Sequence, residues 1–123
     1  MDQVIMWFEI PVKDIKRAKK FYEEILRVEM TVMDFGGHEM AFFPSAGKGS
    51  VSGALCKGPE YNPSTEGALI YLNGNPDLDV VLGRVPNAGG VITLPKREIS
   101  PEYGYMAMFM DTEGNRIALH SVE

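Results

Sequence analysis

The spacing of hydrophobic positions changes near residue 13, which divides the start of the chain into two predicted elements. Residues 3–12 are rich in β-branched and aromatic side chains, so we expect a β-strand that ends near Pro11. From Asp14 onward the hydrophobic positions recur every three or four residues, with charged residues between them. These positions are Ile15, Ala18, Phe21, Tyr22, Ile25 and Leu26. The pattern predicts an amphipathic helix over 14–27, with Asp14 as its N-cap.

Three short segments with the composition of β-strands follow this helix. They cover residues 29–35, 38–44 and 51–56, and glycine-containing loops separate them. The first half of the chain is therefore predicted to run strand, helix, strand, strand, strand.

The second half repeats this order after a loop rich in Pro, Gly, Ser and Asn at residues 57–67. Residues 68–72 are predicted to form a strand. A helix follows, with Asn75 as N-cap, Pro76 at the first helical position and Gly89 as the stop signal. Its apolar stripe consists of Leu78, Val81, Leu82 and Val85, and Pro86 is expected to make its last turn fray or end early. The remaining predicted strands cover 91–97, 104–111 and 115–121, with a turn at 111–115 between the last two.

Both halves thus have the order βαβββ, and Asp14 and Asp77 lie about half a chain apart, as gene duplication would leave them. We expect an α+β fold in which two βαβββ modules form an open, cup-like mixed barrel with the helices outside. The expected single domain covers 1–123, with module one at about 1–57, a linker at about 58–66 and module two at about 67–123. Such a cup is a natural ligand site.

Composition narrows the classes of partner. The 12 basic and 17 acidic residues give a net charge of −5 without a basic stripe, which argues against nucleic acid and an anionic membrane as partners. Cys56 is the one cysteine and follows an apolar run, so it is expected to be a small core residue and not a nucleophile. With no disulfide possible within the chain and no secretory signal pattern, we expect a cytoplasmic protein.

Two segments resemble a known family. Residues 8–26 (FEIPVKDIKRAKKFYEEIL) resemble the opening strand and helix of the vicinal oxygen chelate superfamily, the glyoxalase, bleomycin-resistance and extradiol dioxygenase group. Residues 109–121 (FMDTEGNRIALHS) resemble its closing turn and strand. The resemblance implies a paired-module barrel that is often dimeric. Metal-bearing members hold a divalent ion inside the cup, whereas other members are drug-binding proteins without metal.

The chain departs from the metal-binding pattern of that family. In metal-bearing relatives, the first and last ligands are a His and a Glu at the positions that Trp7 and Ala118 occupy here. Neither residue can ligate a metal, so the usual metal site is predicted to be absent and no cofactor is expected. A shifted site for Zn, Ni, Mn or Fe that uses Glu9 and His120 is the alternative, although no convincing third ligand is found and His38 is expected to be solvated at a hairpin tip.

Alternation along the strands selects the candidate site residues. Phe8, Ile10 and Val12 are expected to face the helix, which turns Trp7 and Glu9 into the cup. In the last strand the same rule turns Arg116, Ala118 and His120 inward. Beyond metal binding, Glu9 and His120 could act as general base and oxyanion donor, or form a buried structural pair without chemistry.

Further ligand-binding candidates are Tyr71 and Met108, the latter in a stripe with Met106 and Met110. The predicted function is binding of a small organic molecule in the cup. Two alternatives stay open: a lyase, isomerase or dioxygenase that uses Glu9 and His120, and a dimerisation or interaction domain. We expect a homodimer.

Overall fold

The computed structural model describes residues 3–123, which form the repeated pattern of strands and helices that the sequence predicts. The elements are β1 (Trp7–Pro11), α1 (Ile15–Leu26), β2 (Thr31–Asp34), β3 (Glu39–Phe42), β4 (Ser52–Lys57), β5 (Tyr71–Asn73), α2 (Leu78–Leu82), α3 (Val85–Ala88), β6 (Val91–Ser100), β7 (Gly104–Met110) and β8 (Arg116–Ser121). None of the helices in the described residues has the length and hydropathy needed to cross a membrane.

The strands form two four-stranded mixed sheets with equivalent topology. The first sheet has the order β1-β4-β3-β2 and the second has the order β5-β8-β7-β6. In each, the first strand of the module pairs parallel with the last, and the other pairs are antiparallel. A parallel pair needs a long crossover, which the helix and two intervening strands provide. The α+β class and the duplicated module are confirmed, and the sheets are not closed into a barrel.

Helix α1 forms where its sequence pattern predicts. The Asp14 side chain accepts a hydrogen bond from the Arg17 backbone N–H at 3.0 Å, which satisfies one of the unpaired donors of the first turn. The predicted stripe is buried except for Leu26, which is half-buried, and it packs in the same hydrophobic cluster as side chains of both sheets. That cluster includes Ala18, Phe21, Ile25, Leu55, Phe109 and Leu119. Helix α1 thus packs into a core to which both modules contribute.

The second helix differs from the prediction at its start and in its continuity. Its N-cap is Asp77, whose side chain accepts the Asp79 N–H, and the predicted N-cap Asn75 accepts the N–H of Val122 instead. The helix is also divided into α2 and α3, because Pro86 has no N–H to continue the hydrogen-bond ladder and lies in the first turn of the new segment. The predicted stripe is nevertheless buried, and Gly89 ends α3 with a φ of 110°.

Several strand boundaries also differ from the prediction, and the strand predicted over 68–72 is observed as Tyr71–Asn73. Strand β1 begins at Trp7, so residues 3–6 lie outside it. Strand β6 extends to Ser100 although it contains Pro95. Because β6 is an edge strand of its sheet, the missing N–H of Pro95 does not interrupt hydrogen bonding between interior strands.

The turn at residues 111–115, in module two, forms hydrogen bonds and an ion pair with module one. Glu113 accepts the backbone N–H groups of Lys13 and Asp14 at 2.8 and 2.9 Å and forms a two-point ion pair with Arg17 at 2.7 and 2.9 Å. In the same turn, Asp111 accepts the hydroxyl of the buried Tyr22 at 2.6 Å. This turn of module two therefore covers the start of α1 in module one.

Candidate functional site

Each sheet has one face in the hydrophobic core and a second face that this chain leaves largely uncovered, which we call its open face. On β1, Ile10 is buried in the core, whereas Trp7 and Glu9 lie on the open face and are exposed. Leu72 of β5 is buried and its neighbour Tyr71 is exposed. The alternation predicted from the sequence is therefore confirmed on both strands.

The open face of the first sheet has small residues in the middle and large ones beside them. Strand β4 presents Ser52, Ala54 and Cys56 on this face, since their partners across β1 and β3 include Trp7, Glu9, Phe42 and Met40. The rings of Trp7 and Phe42 have centroids 6.0 Å apart, and Phe35 lies 6.3 Å beyond Phe42. This face is thus a shallow, aromatic surface over a floor of small side chains.

Glu9 is the carboxylate of this aromatic surface, and it accepts hydrogen bonds from two neutral side chains. The indole Nε1 of Trp7 donates to Oε2 at 3.3 Å, and the hydroxyl of Tyr61 donates to Oε1 at 2.7 Å. The hydrogen bond to Glu9 raises the pKa of Tyr61, so the hydroxyl keeps its proton at neutral pH. Among residues 3–123, the ion pairs of the chain do not include Glu9.

Tyr61 was not predicted from the sequence. It belongs to the loop between the modules, where no periodic pattern indicates which way a side chain points. A tyrosine inside a Pro- and Asn-rich loop is the only hint that the sequence offers.

Cys56 lies beside these residues, and its thiol stays protonated at neutral pH. Burial raises the pKa of its thiol to about 12, and the nearby charge of Glu9 adds to this effect. The residue is fully buried, in agreement with the predicted role in the core.

The open face of the second sheet contains the other candidates. Tyr71 lies opposite Ala118, which in turn lies opposite Met108, and His120 lies opposite Met106. The His120 ring nitrogen Nε2 contacts the backbone carbonyl oxygen of Tyr103. Tyr71, Met108 and His120 thus lie on one face of the second sheet, and their role in ligand binding stays a prediction.

Glu9 and His120 belong to different sheets and do not form a hydrogen bond with each other. Glu9 bonds to Trp7 and Tyr61, and His120 contacts Tyr103, so the direct pair that a structural role would require is not formed within this chain. Their catalytic and ligand-binding roles stay predictions.

One cavity borders Tyr61 and a second one borders Glu9. A cavity of about 500 Å³ lies between the β2–β3 hairpin and the inter-module loop, and its lining includes Asp34, Lys57 and Tyr61. A smaller one of about 210 Å³ is lined by Glu9, Asn115 and residues of the loop. The loop that carries Tyr61 therefore forms walls of both cavities.

The donor atoms present do not fit a divalent metal in the manner of the metal-bearing proteins that the sequence resembles. Trp7 and Ala118 offer no ligand atom, and residues 3–123 contain no group of three His, Cys, Asp or Glu side chains that could hold an ion. His38 is half-buried and lies edge-on to the ring of Tyr61, with centroids 6.2 Å apart. A shifted site at Glu9 and His120 gains no third ligand from this arrangement.

Comparison with known proteins agrees with the architecture. A family profile described as bleomycin resistance protein-like N-terminal matches residues 4–43. A search of curated protein sequences gave no match.

Solved structures resemble the chain over nearly its whole length. TnmS3, an antibiotic binding protein from Streptomyces sp. CB03234, is 24% identical, with 98% of each chain covered and a TM-score of 0.69. A glyoxylase/bleomycin resistance protein/dioxygenase domain from Frankia sp. EAN1pec is 19% identical, with 97% of each chain covered and a TM-score of 0.71. A glyoxalase I mutant from Zea mays is 18% identical over 95% of this chain, with a TM-score of 0.73, but this chain spans only 46% of that protein. These similarities show a shared fold.

Proposed function

We propose that this chain, whose fold is that of the vicinal oxygen chelate superfamily, binds a small organic molecule on the open faces of its sheets without the usual metal site of that superfamily. The observation that carries the proposal is the aromatic surface of Trp7, Phe42 and Phe35 around one carboxylate. Ligand sites combine such apolar walls with a few polar groups that fix orientation. Similarity to a protein described as antibiotic binding supports the same function.

Exposure of large apolar side chains supports a binding role for this surface. Trp7 is 44% exposed, Met33 49% and Phe35 52%, and all three belong to the first module. On the second sheet, Tyr71 is 49% exposed. Exposed apolar patches of this kind are costly in a monomer and are typical of binding surfaces.

We further propose that the protein is a homodimer in which a second copy covers these faces. Two shallow open faces become a cleft when one is set opposite another, and a cleft buries more of a ligand than one face can. In this arrangement the bound molecule lies between residues of both copies.

Isothermal titration with a panel of planar aromatic compounds tests the binding function. At least one compound is expected to bind, and Trp7→Ala is expected to weaken it by about thirtyfold or more, because an aromatic anchor in a binding surface contributes about 2 kcal/mol or more. Val80→Ala is the matched control, since Val80 is 55% exposed on α2, outside the open faces.

Two results would count against this function. If no compound binds, or if Trp7→Ala and Val80→Ala bind equally well, the open face is not the ligand site. Turnover of a bound compound that is lost in both Glu9→Gln and His120→Ala would instead favour the alternative of an enzyme.

A further inference from the structure

We infer that Glu9 makes the site selective for organic cations, and specifically for planar aromatic amines that are protonated at neutral pH. The inference deepens the proposed binding function and rests on it. It depends on the hydrogen bonds of Glu9, on the charges near it and on the rings that surround it.

The hydrogen bonds of Glu9 leave acceptor capacity unused. Each carboxylate oxygen accepts one hydrogen bond, from Trp7 at 3.3 Å and from Tyr61 at 2.7 Å. An ionised carboxylate can accept about four hydrogen bonds. The N–H donors of a ligand can therefore bind without displacing Trp7 or Tyr61, which would keep the carboxylate in position.

Glu9 forms no ion pair within the described part of the chain. Both of its hydrogen-bond partners are neutral donors, and Arg116, which lines the same cavity, is not within ion-pair distance of it. A cationic ligand would supply the missing positive charge, and a hydrogen bond between two charged groups is about twice as strong as one between neutral groups. An anionic ligand would be repelled.

The rings on the same face favour the same ligand class. Trp7 and Phe42 flank the strand position of Glu9, since Glu9 pairs with Ala54, which pairs with Phe42. A cation over an aromatic face gains additional attraction, and Trp is the strongest partner for it. A flat ring system that carries the cation can at the same time pack against the exposed ring of Trp7.

Titration calorimetry at neutral pH with two probes of the same ring system tests this selectivity. The probes are 9-aminoacridine, which is a cation at neutral pH, and acridone, which is neutral. The wild-type protein is expected to bind 9-aminoacridine about tenfold more tightly than acridone, the difference expected of one charge-assisted hydrogen bond. Raising the salt concentration is expected to reduce this ratio, because ions screen an exposed charge.

Glu9→Gln preserves the shape of the side chain and removes its charge. This variant is expected to bind both probes with similar affinity, because the charge that distinguishes them is removed. Glu24→Gln, an equal change of charge at an exposed position of α1, is expected to retain the tenfold ratio.

The outcomes separate this inference from the proposed function. Equal binding of both probes by the wild-type protein overturns the cation selectivity and leaves small-molecule binding intact. An undiminished ratio in Glu9→Gln also overturns it, since another group would then supply the selectivity. Absence of binding by both probes and by the wider aromatic panel contradicts the inference together with the function on which it rests.

Discussion

The rate at which the thiol of Cys56 reacts with a reagent reports how closely the side chains of the first sheet are packed. Its side chain is fully buried, and burial together with the charge of Glu9 raises its pKa to about 12. At pH 8 roughly one thiol in ten thousand is then ionised, and the thiolate is the reactive form. We predict that native protein reacts with a thiol reagent such as DTNB at least about a hundredfold more slowly than protein in denaturant.

Cys56→Ser is the blank for this assay, because the chain has one cysteine. Equal rates for native and denatured protein would mean that the open face admits the reagent, which would contradict the packing of β4.

Single residues of the site could be predicted where they lie on strands and not where they lie on loops. Strand alternation placed Trp7, Glu9 and Tyr71 on the correct faces, because a strand fixes side-chain direction with a period of two. Tyr61 was missed, although its hydroxyl lies 2.7 Å from Glu9, because the path of a loop depends on contacts distant in sequence. Strand alternation could not show whether Glu9 and His120 form a pair. It determines the face of the sheet on which a side chain lies, but not the distance between side chains on different sheets.

At the scale of elements, the ion pair between α1 and the β7–β8 turn predicts an acid-sensitive contact between modules. Burial by itself raises the pKa of Glu113, but the hydrogen bonds from Arg17, Asp14 and Lys13 outweigh it and lower the pKa from 4.5 to about 2. The folded state therefore favours the ionised form. The stabilisation is fully present above about pH 4.5 and is lost as the pH falls toward about 2.

Glu113→Gln is predicted to lower the free energy of unfolding at neutral pH by about 2 kcal/mol, allowing for the exposure of Arg17 to solvent. Urea denaturation at neutral pH and at about pH 3 measures this effect, and the difference between variant and wild type should shrink at the lower pH. Glu102→Gln, in the exposed turn before β7, should leave both curves unchanged. A difference that stays constant with pH would show that the charge of Glu113 is not the stabilising feature.

The same turn shows what element-level prediction could and could not supply. Its sequence DTEGN predicted a turn, and the Asp111 side chain does accept the N–H groups of Glu113 and Asn115. Its second role, contact with the start of α1, depends on tertiary structure that local turn chemistry does not encode. The late start of α2 has a similar cause, since Asn75 bonds to Val122 at the other end of the module.

The architecture of the whole molecule follows from a repeat that the sequence shows directly. Two βαβββ modules could be predicted because hydrophobic periodicity changes in the same order twice. The packing of the two modules against each other could not be predicted in the same way. The hydrophobic pattern shows that each module buries one face of its sheet, but it does not show what that face packs against. Contacts such as Phe21 with Phe109, whose ring centroids are 5.8 Å apart, decide that packing, and they join residues far apart in the sequence.

The exposed open faces lead to a prediction about the assembled protein. If a second copy covers them, a charge placed on the face should separate the copies, because a buried unpaired charge is strongly unfavourable. Met33 lies on the open face of the first sheet, opposite Met40, and is 49% exposed, so a lysine there is tolerated by the isolated chain.

Wild-type protein is therefore predicted to sediment with the mass of two chains, and Met33→Lys with the mass of one or with a dissociation constant at least about a hundredfold weaker, which corresponds to about 3 kcal/mol. Val80→Lys, an equal change on the exposed side of α2, should remain dimeric. Thermal unfolding of both variants near the wild-type temperature would show that the chain itself is intact. A monomeric wild-type protein would contradict the dimer directly, and dissociation of Val80→Lys with an unaffected Met33→Lys would place the interface on the helices instead of the open faces.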